Sequence, residues 1–551
     1  MRRLPALLVL SLLLIPAYAA KPPAAAIASA HPLATDAGME ILAAGGNAFD
    51  AAVAVSGALA VVAPMSCGLG GGGFWLLHRA RDGFETFVDG RETAPRAARR
   101  DMYLDAQGNV VPNLSLDGPL SAAIPGVPAA LEHLSRKYGR LSLARSLAPA
   151  IRLAREGFAT DEAYRRDAEF RTAALLNAPG LLDGGKAPRA GFVLKQPELA
   201  GVLTSMARRG AAGFYRGEVA RKLVDGVRNA GGIWTLEDLA GYRIKERAPI
   251  RGEYRGMRIV SAPPPSSGGV ALVTMLNILS GYPLPTLDTT TQTHLLVEAM
   301  RRAYRDRAEH LGDPDFGDVP VRQLLNPFYA AGLRSSLRLD RATPSKSLPM
   351  DVPVRQGPDT SHFSILDRDG NRVAATLSIN YIFGSGFMPP GTGVLLNDEM
   401  DDFSAKPGAP NAYGLVGADA NAIAPGKRPL SSMTPTFLEH ERGLAILGTP
   451  GGSRIISMVL LASLEFAQGG NAGEMVALPR FHHQFLPDQV YYEAGALSPE
   501  LQDGLQQRGH RLEQTDDRYG DMQAVVWDRR AGVNAASDPR GQGKAWVQHR
   551  P

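Results

Sequence analysis

The segment Asp359-Thr360-Ser361-His362-Phe363-Ser364 places hydroxyl and imidazole groups at a two-residue spacing. On a β-strand alternate side chains point to one face, so Thr360, His362 and Ser364 would lie together. The turn-forming run Asp367-Arg368-Asp369-Gly370-Asn371 follows, and then a second strand from Val373 to Asn380. Thr376, Ser378 and Asn380 share one of its faces, and Ala375, Leu377 and Ile379 share the other. By pattern alone, a polar face of this kind is the solvent face of a half-buried sheet. A threonine hydroxyl can also attack a carbonyl, provided a base takes its proton. One such base is the nucleophile's own α-amine, which exists only on the first residue of a chain. Thr360 lies deep inside this one, so that chemistry demands a backbone break between Asp359 and Thr360.

Other groups suited to acyl transfer are scattered along the chain. The strand Phe84 to Asp89 ends in Gly90-Arg91-Glu92, where Arg91 taken alone reads as half of a surface ion pair. In Asn397-Asp398-Glu399-Met400-Asp401-Asp402-Phe403, the acidic side chains taken alone read as a solvated loop. Pro429-Leu430-Ser431-Ser432-Met433 brings paired hydroxyls, and Pro450-Gly451-Gly452-Ser453-Arg454 brings backbone N–H groups that glycine leaves open to close approach. A loop from Pro407 to Gly417 contains Tyr413.

Four runs, Thr360 to Ser364, Asn397 to Phe403, Pro429 to Met433 and Pro450 to Arg454, stand in the order found in γ-glutamyltranspeptidases, and nearly the whole chain after its first twenty residues resembles that family of N-terminal-nucleophile hydrolases. The resemblance implies an α/β fold, a four-layer αββα sandwich of two mainly antiparallel sheets. It implies a self-cleaving precursor, with residues 21–359 as the large subunit and 360–551 as the small one. Together these would form a single αββα domain and remain associated as a heterodimer. Thr360 would attack the γ-carbonyl of glutathione or another γ-glutamyl compound, and water or an amino-acid or peptide amine would resolve the acyl-enzyme. Gly451 and Gly452 would hold the oxyanion. Arg91, with Ser431 and Ser432, would take the α-carboxylate; Asn380, Glu399 and Asp402 would take the α-ammonium. Ser378 stands where many members carry threonine, and would orient the Thr360 amine. Tyr413 would lie on a lid. No cofactor is implied. An exported acylase of the glutaryl or cephalosporin type is the rival reading, although a glutaryl group has no amine for the carboxylates to bind. A non-catalytic periplasmic binding protein is the remoter one.

The elements that must position these groups follow from hydrophobic period. Helices are expected over Ala34–Ala44, Ala51–Val62, Val127–Tyr138, Ser142–Glu156, Pro197–Arg209, Gly217–Asn229, Gln292–His310 and Arg454–Phe466. Thr235-Leu236-Glu237-Asp238 is a helix start of the capping-box kind. The glycines from Gly68 to Gly73 contain G-x-G-x-x-G, but the order is helix, loop, strand, which excludes the dinucleotide fingerprint. Their expected role is close backbone approach. The spacing of Gly180 to Lys186 imitates a phosphate loop, but Ala187 stands where the metal-binding hydroxyl belongs. Ser336 to Pro358 reads as an exposed tail leading to Thr360.

The composition is ordinary for a globular chain: 551 residues, 44% hydrophobic, 21% charged, formal net charge +4. No basic cluster is long enough to track a phosphate backbone, so nucleic acid is not an expected partner. Residues 1–20 read as a secretory signal peptide. Arg2 and Arg3 precede the apolar run Leu4 to Ile15, and Ala17-Tyr18-Ala19 is a small-x-small cleavage site. The expected location is exported, periplasmic or secreted. Cys67 is the only cysteine, which rules out an intrachain disulfide and fits a buried small hydrophobe. His482 and His483 are adjacent and are expected to be structural; no metal-ligand spacing is found.

Overall fold

Two antiparallel sheets pack face to face, with helices outside both. The computed structural model describes residues 21–348, 360–406, 411–412 and 414–549; the leader, Asp359 and Tyr413 lie outside them. The first sheet runs, edge to edge, Lys544–His549, Ala24–Ser29, Ser361–Leu366, Arg372–Ser378, Gly72–Arg79, Phe84–Gly90 and Lys245–Arg247. The second runs Gly532–Ser537, Gln523–Asp528, Gly443–Gly448, Thr436–His440, Met257–Ser261 and Ile250–Tyr254. The expected αββα sandwich is the fold observed. No described helix is long and apolar enough to cross a membrane.

Strand alternation divides the core. Ile27, Trp75, Leu77, Phe363, Ile365, Val373 and Leu377 pack beneath the outer helices on one side. Ala26, Ala28, Phe74, Leu76, Leu366 and Ala374 face the second sheet, against Val260, Phe437, Ile446 and Val525. The helix Ala48–Val62 is buried on every residue and is apolar apart from Asp50 and Ser56, as suits a helix sandwiched within a core. It begins at Asn47 with a reciprocal capping box to Asp50, a device worth about 1 kcal/mol.

The strand that starts just after Thr360 is interior. It pairs with Ala24–Ser29 on one side and Arg372–Ser378 on the other, with His362 opposite Thr376 and Ser361 opposite Leu377. Continuing that register puts Ser378 across from Thr360. The pattern-based reading of this polar face as a solvent face is corrected here: His362, Ser364 and Thr376 are fully buried between the sheets. They satisfy one another. Ser364 Oγ donates to Gln523 O (3.1 Å), so it accepts from His362 Nε2 (3.2 Å), which leaves Nδ1 to accept from Thr376 Oγ1 (2.8 Å). Burial drives His362 down to about 3 and keeps it neutral.

The glycine run before Gly72–Arg79 does permit close approach. A Cβ at Gly70 would strike the Leu395 carbonyl, and one at Gly71 the Ser378 carbonyl. The segment from Ser336 to residue 348 is mostly exposed, as its composition suggests, but it is anchored at two points. Thr343 Oγ1 donates to the buried Glu298 (2.6 Å), and Ser345 accepts from Arg301 (2.5 Å) and donates its backbone N–H to Asp488 (2.7 Å). Hydroxyl and backbone anchors of this kind leave no hydrophobic period in the sequence. Residues 349–359 lie outside the described part.

Candidate active site

A cavity opens where the strand beginning just after Thr360, the Arg91 strand end and three loops meet. It is lined by Arg91, Thr360, Ser378, Asn380, Asp402, Leu415, Ser431, Ser432, Met433, Gly452 and Ile455. Eight of the residues named from sequence therefore share one wall system. Glu399 sits behind it on Arg91, Gly451 lies one residue outside the lining, and Tyr413 is outside the described residues.

Arg91 follows directly on the strand Phe84–Gly90, and its backbone is held from both sides. Its N–H donates to Asp89 (3.0 Å), and its carbonyl accepts from Tyr242 Oη (2.7 Å). The guanidinium is 1% exposed and faces three carboxylates: Glu399 at 2.5 Å, Asp402 at 2.5 Å and Glu92 at 3.7 Å. Its Nε donates to the Pro429 carbonyl (3.2 Å). The Asp402 contact is a hydrogen bond. The Glu399 contact has no N–H aimed at its oxygen, so it acts as an ion pair only. Burial pushes the Glu399 carboxyl up to about 7 against the pull of Arg91, with Asp402 repelling its charge. Burial, followed by the charge of Glu399, raises Glu92 well above the usual carboxylate range. Desolvation outweighs the pairing because three acids share one cation in a dry site. Glu92, although adjacent to Arg91, was not singled out from sequence; its neighbourhood to the named arginine was the available signal.

Asn380 adopts a left-handed backbone (φ 73°), a conformation asparagine tolerates. This turns the chain after Ser378, so that Asn380 N–H donates to Ser378 Oγ (2.8 Å) and Asn380 Nδ2 donates to Asp398 O (3.1 Å). At the opposite wall, Gly451 and Gly452 have φ of 132° and 55°, and a Cβ at Gly451 would meet Met458 at 2.7 Å. Neither glycine amide donates to another described residue. Both precede the helix Ile455–Gln468, whose N-terminal dipole favours negative charge at this spot.

The loop that should carry a lid is tied to the site at its described residues. Ala412 N–H donates to Asp401 (2.8 Å), and Asn411 Nδ2 to Asp402 (2.9 Å). Behind Ser432 stands Arg307, which sequence reading missed. Cys67 is buried, and burial pushes its thiol up to about 12, in keeping with a packing role. His482 and His483 are buried and engaged separately, His482 with Ser457 and Gln484, and His483 with Asp488. Among the described residues one group, His78, Glu85 and Glu439, has metal-like spacing, but Arg258 bridges its two carboxylates. That marks it as an ion-pair network.

Comparison with known proteins bears on this arrangement. The family model described as Gamma-glutamyltranspeptidase matches residues 34–547. The chain is similar to a glutathione hydrolase proenzyme of Pseudomonas sp. (strain A14), 44% identical over 88% of this chain and 86% of the other. It is similar to the glutathione hydrolase proenzyme of Escherichia coli (strain K12), 41% identical over 93% and 90%. Among solved structures it resembles a cephalosporin acylase from Bacillus halodurans, with TM-score 0.83 and 30% identity over 96% of each chain.

Proposed function

The chain belongs to the γ-glutamyltranspeptidase family of N-terminal-nucleophile enzymes, and from that premise we propose that Thr360 is its nucleophile, unmasked by self-cleavage after Asp359. In maturation, Thr360 Oγ attacks the Asp359 carbonyl, the peptide bond becomes an ester, and water hydrolyses it. The new α-amine has a reference pKa of about 7.7–8.0, so a useful fraction is neutral and can act as base. The products are residues 21–359 and 360–551, which stay together as a heterodimer. In turnover, Thr360 attacks the γ-carbonyl of glutathione or a related γ-glutamyl compound. The amides of Gly451 and Gly452 stabilise the oxyanion, and the leaving amine departs with a proton. Water, or an amino-acid or peptide amine, then releases the γ-glutamyl group. Ser378 orients the amine. Arg91, Ser431 and Ser432 receive the α-carboxylate; Asn380, Glu399 and Asp402 receive the α-ammonium; and Tyr413 covers the bound donor. The leader directs this chemistry to an exported, periplasmic location.

The observation that carries this reading is the convergence of Thr360, Ser378, Asn380, Asp402, Ser431, Ser432 and Gly452 on one cavity beside Arg91. The test is mass spectrometry with turnover of a γ-glutamyl anilide. Two subunit masses and activity are expected from the natural sequence, neither from Thr360→Ala, and a measurable share of each from Thr360→Ser. A fully active, unbroken chain would overturn it. The acylase reading is separated by rates on glutaryl anilide, which should be much the slower substrate because three carboxylates around Arg91 disfavour an uncharged end.

A further inference from the structure

We propose that Arg307 is a positioning residue that turns Ser431 and Ser432 into a receptor for the donor's α-carboxylate; this rests on the functional reading above. Arg307 lies in the last turn of the helix Thr289–His310 and is 4% exposed. Its Nη2 donates to Ser432 Oγ (3.2 Å) and its Nε to Ser267 Oγ (3.0 Å). No carboxylate lies within ion-pair distance of it among the described residues. A buried cation held only by neutral hydroxyls is undercompensated, so an anion brought close to it is bound favourably. Its lowered guanidinium pKa, about 10, agrees: burial is the main cause, Asp402 offsets part of it, and Arg91 adds repulsion.

Hydroxyl geometry says where that anion sits. A serine hydroxyl has one hydrogen to give, and a guanidinium cannot accept one. With Arg307 donating to it, the Ser432 hydroxyl must aim its hydrogen elsewhere. Ser431 Oγ is likewise occupied as an acceptor, by the Met433 N–H (3.1 Å). Both serines line the cavity. Ser267 passes the effect along: it accepts from Arg307 and donates to the Ser431 carbonyl (2.8 Å), fixing the backbone of the pair. Two hydroxyl donors with a cation behind them suit a carboxylate and repel an ammonium. Arg91 alone does not supply that excess positive charge, because Glu399 and Asp402 already pair with it.

The experiment uses the matured enzyme, with subunit masses checked, and two donors: γ-glutamyl anilide and 4-aminobutanoyl anilide, which lacks only the α-carboxylate. For Arg307→Met, KM for γ-glutamyl anilide should rise roughly 10- to 100-fold with kcat within about threefold. Its kcat/KM for 4-aminobutanoyl anilide should hold steady. Arg307→Lys should fall between the two proteins, and it carries the same comparison should Arg307→Met not mature. In a Ser432→Ala background, Arg307→Met should add less than about threefold. Equal losses on both donors, an unchanged KM, or full additivity with Ser432→Ala would overturn the assignment. An unsubstituted enzyme inert toward γ-glutamyl anilide would instead bring down the functional reading itself.

Discussion

Arg91 and Arg307 flank the same cavity in opposite electrical settings. Arg91 meets three acids and is almost wholly enclosed. Arg307 meets hydroxyls only. Beside Arg91 the carboxylates of Asp402 and Glu399 suit an α-ammonium, while Arg91 itself would pair with the α-carboxylate on the same carbon. The setting of Arg307 leaves surplus positive charge, which a carboxylate would relieve. A γ-glutamyl group carries both charges on one carbon, so two unlike ends of a small cavity can fix its orientation and present its far carbonyl to Thr360. Residue type alone is therefore a poor guide to role; the count of opposing charges around each guanidinium separates the two.

The largest expected effect breaks the acidic end. Asp402→Asn removes the one carboxylate that hydrogen-bonds Arg91 and also lines the cavity. Steady-state kinetics should show kcat/KM for γ-glutamyl anilide falling roughly 10²- to 10³-fold, as for a buried charge pair that loses one member. The rate on glutaryl anilide should change far less. An equal loss on both would mean that this end does not read the ammonium. Next comes the hydroxyl end. Ser431→Ala should raise KM for γ-glutamyl anilide about tenfold and leave 4-aminobutanoyl anilide unaffected, since one hydrogen bond to a charged group is lost.

The smallest effect is a titration. Burial sets Glu399 near 7, so it is charged above that pH and increasingly neutral below it. KM for the γ-glutamyl donor should therefore rise a few-fold as pH falls from about 8 to about 6, following the charge on a carboxyl that titrates between them. Glu399→Gln should hold KM at the higher value and flatten that limb. Because Glu92 faces Glu399, the observed midpoint belongs to the pair. A profile identical in the unsubstituted enzyme and Glu399→Gln would remove Glu399 from ammonium recognition.

Local pattern carried much of the fold. Val127–Tyr138, Pro197–Arg209 and Gly217–Asn229 form over the residues their apolar spacing marks. The first helix starts at Pro32, ahead of Ala34, because His31 serves as its cap, a role usually held by Ser, Thr, Asp or Asn. Alternation located the strand of Thr360 but misread its polar face, since a period of two does not distinguish water from a second buried layer. The four sequence runs supplied most of the cavity's polar lining. Arg307 escaped because nothing beside it in the chain marks a cation that is buried without a counter-charge. That property exists only once the helix has packed behind Ser432.

The strand order of the first sheet bears on what a cut before Thr360 does to the molecule. Ala24–Ser29 is clasped between Ser361–Leu366 and Lys544–His549, so a strand from the upstream piece is hydrogen-bonded on both edges to the downstream piece. In the other sheet Met257–Ser261 joins the downstream piece along one edge, through Thr436–His440. Severed halves laced together in this way share their ladders and cannot drift apart as intact bodies. Separating them means melting both sheets, so dilution should neither loosen the pair nor lower its melting temperature, and halves from two preparations should not exchange while folded.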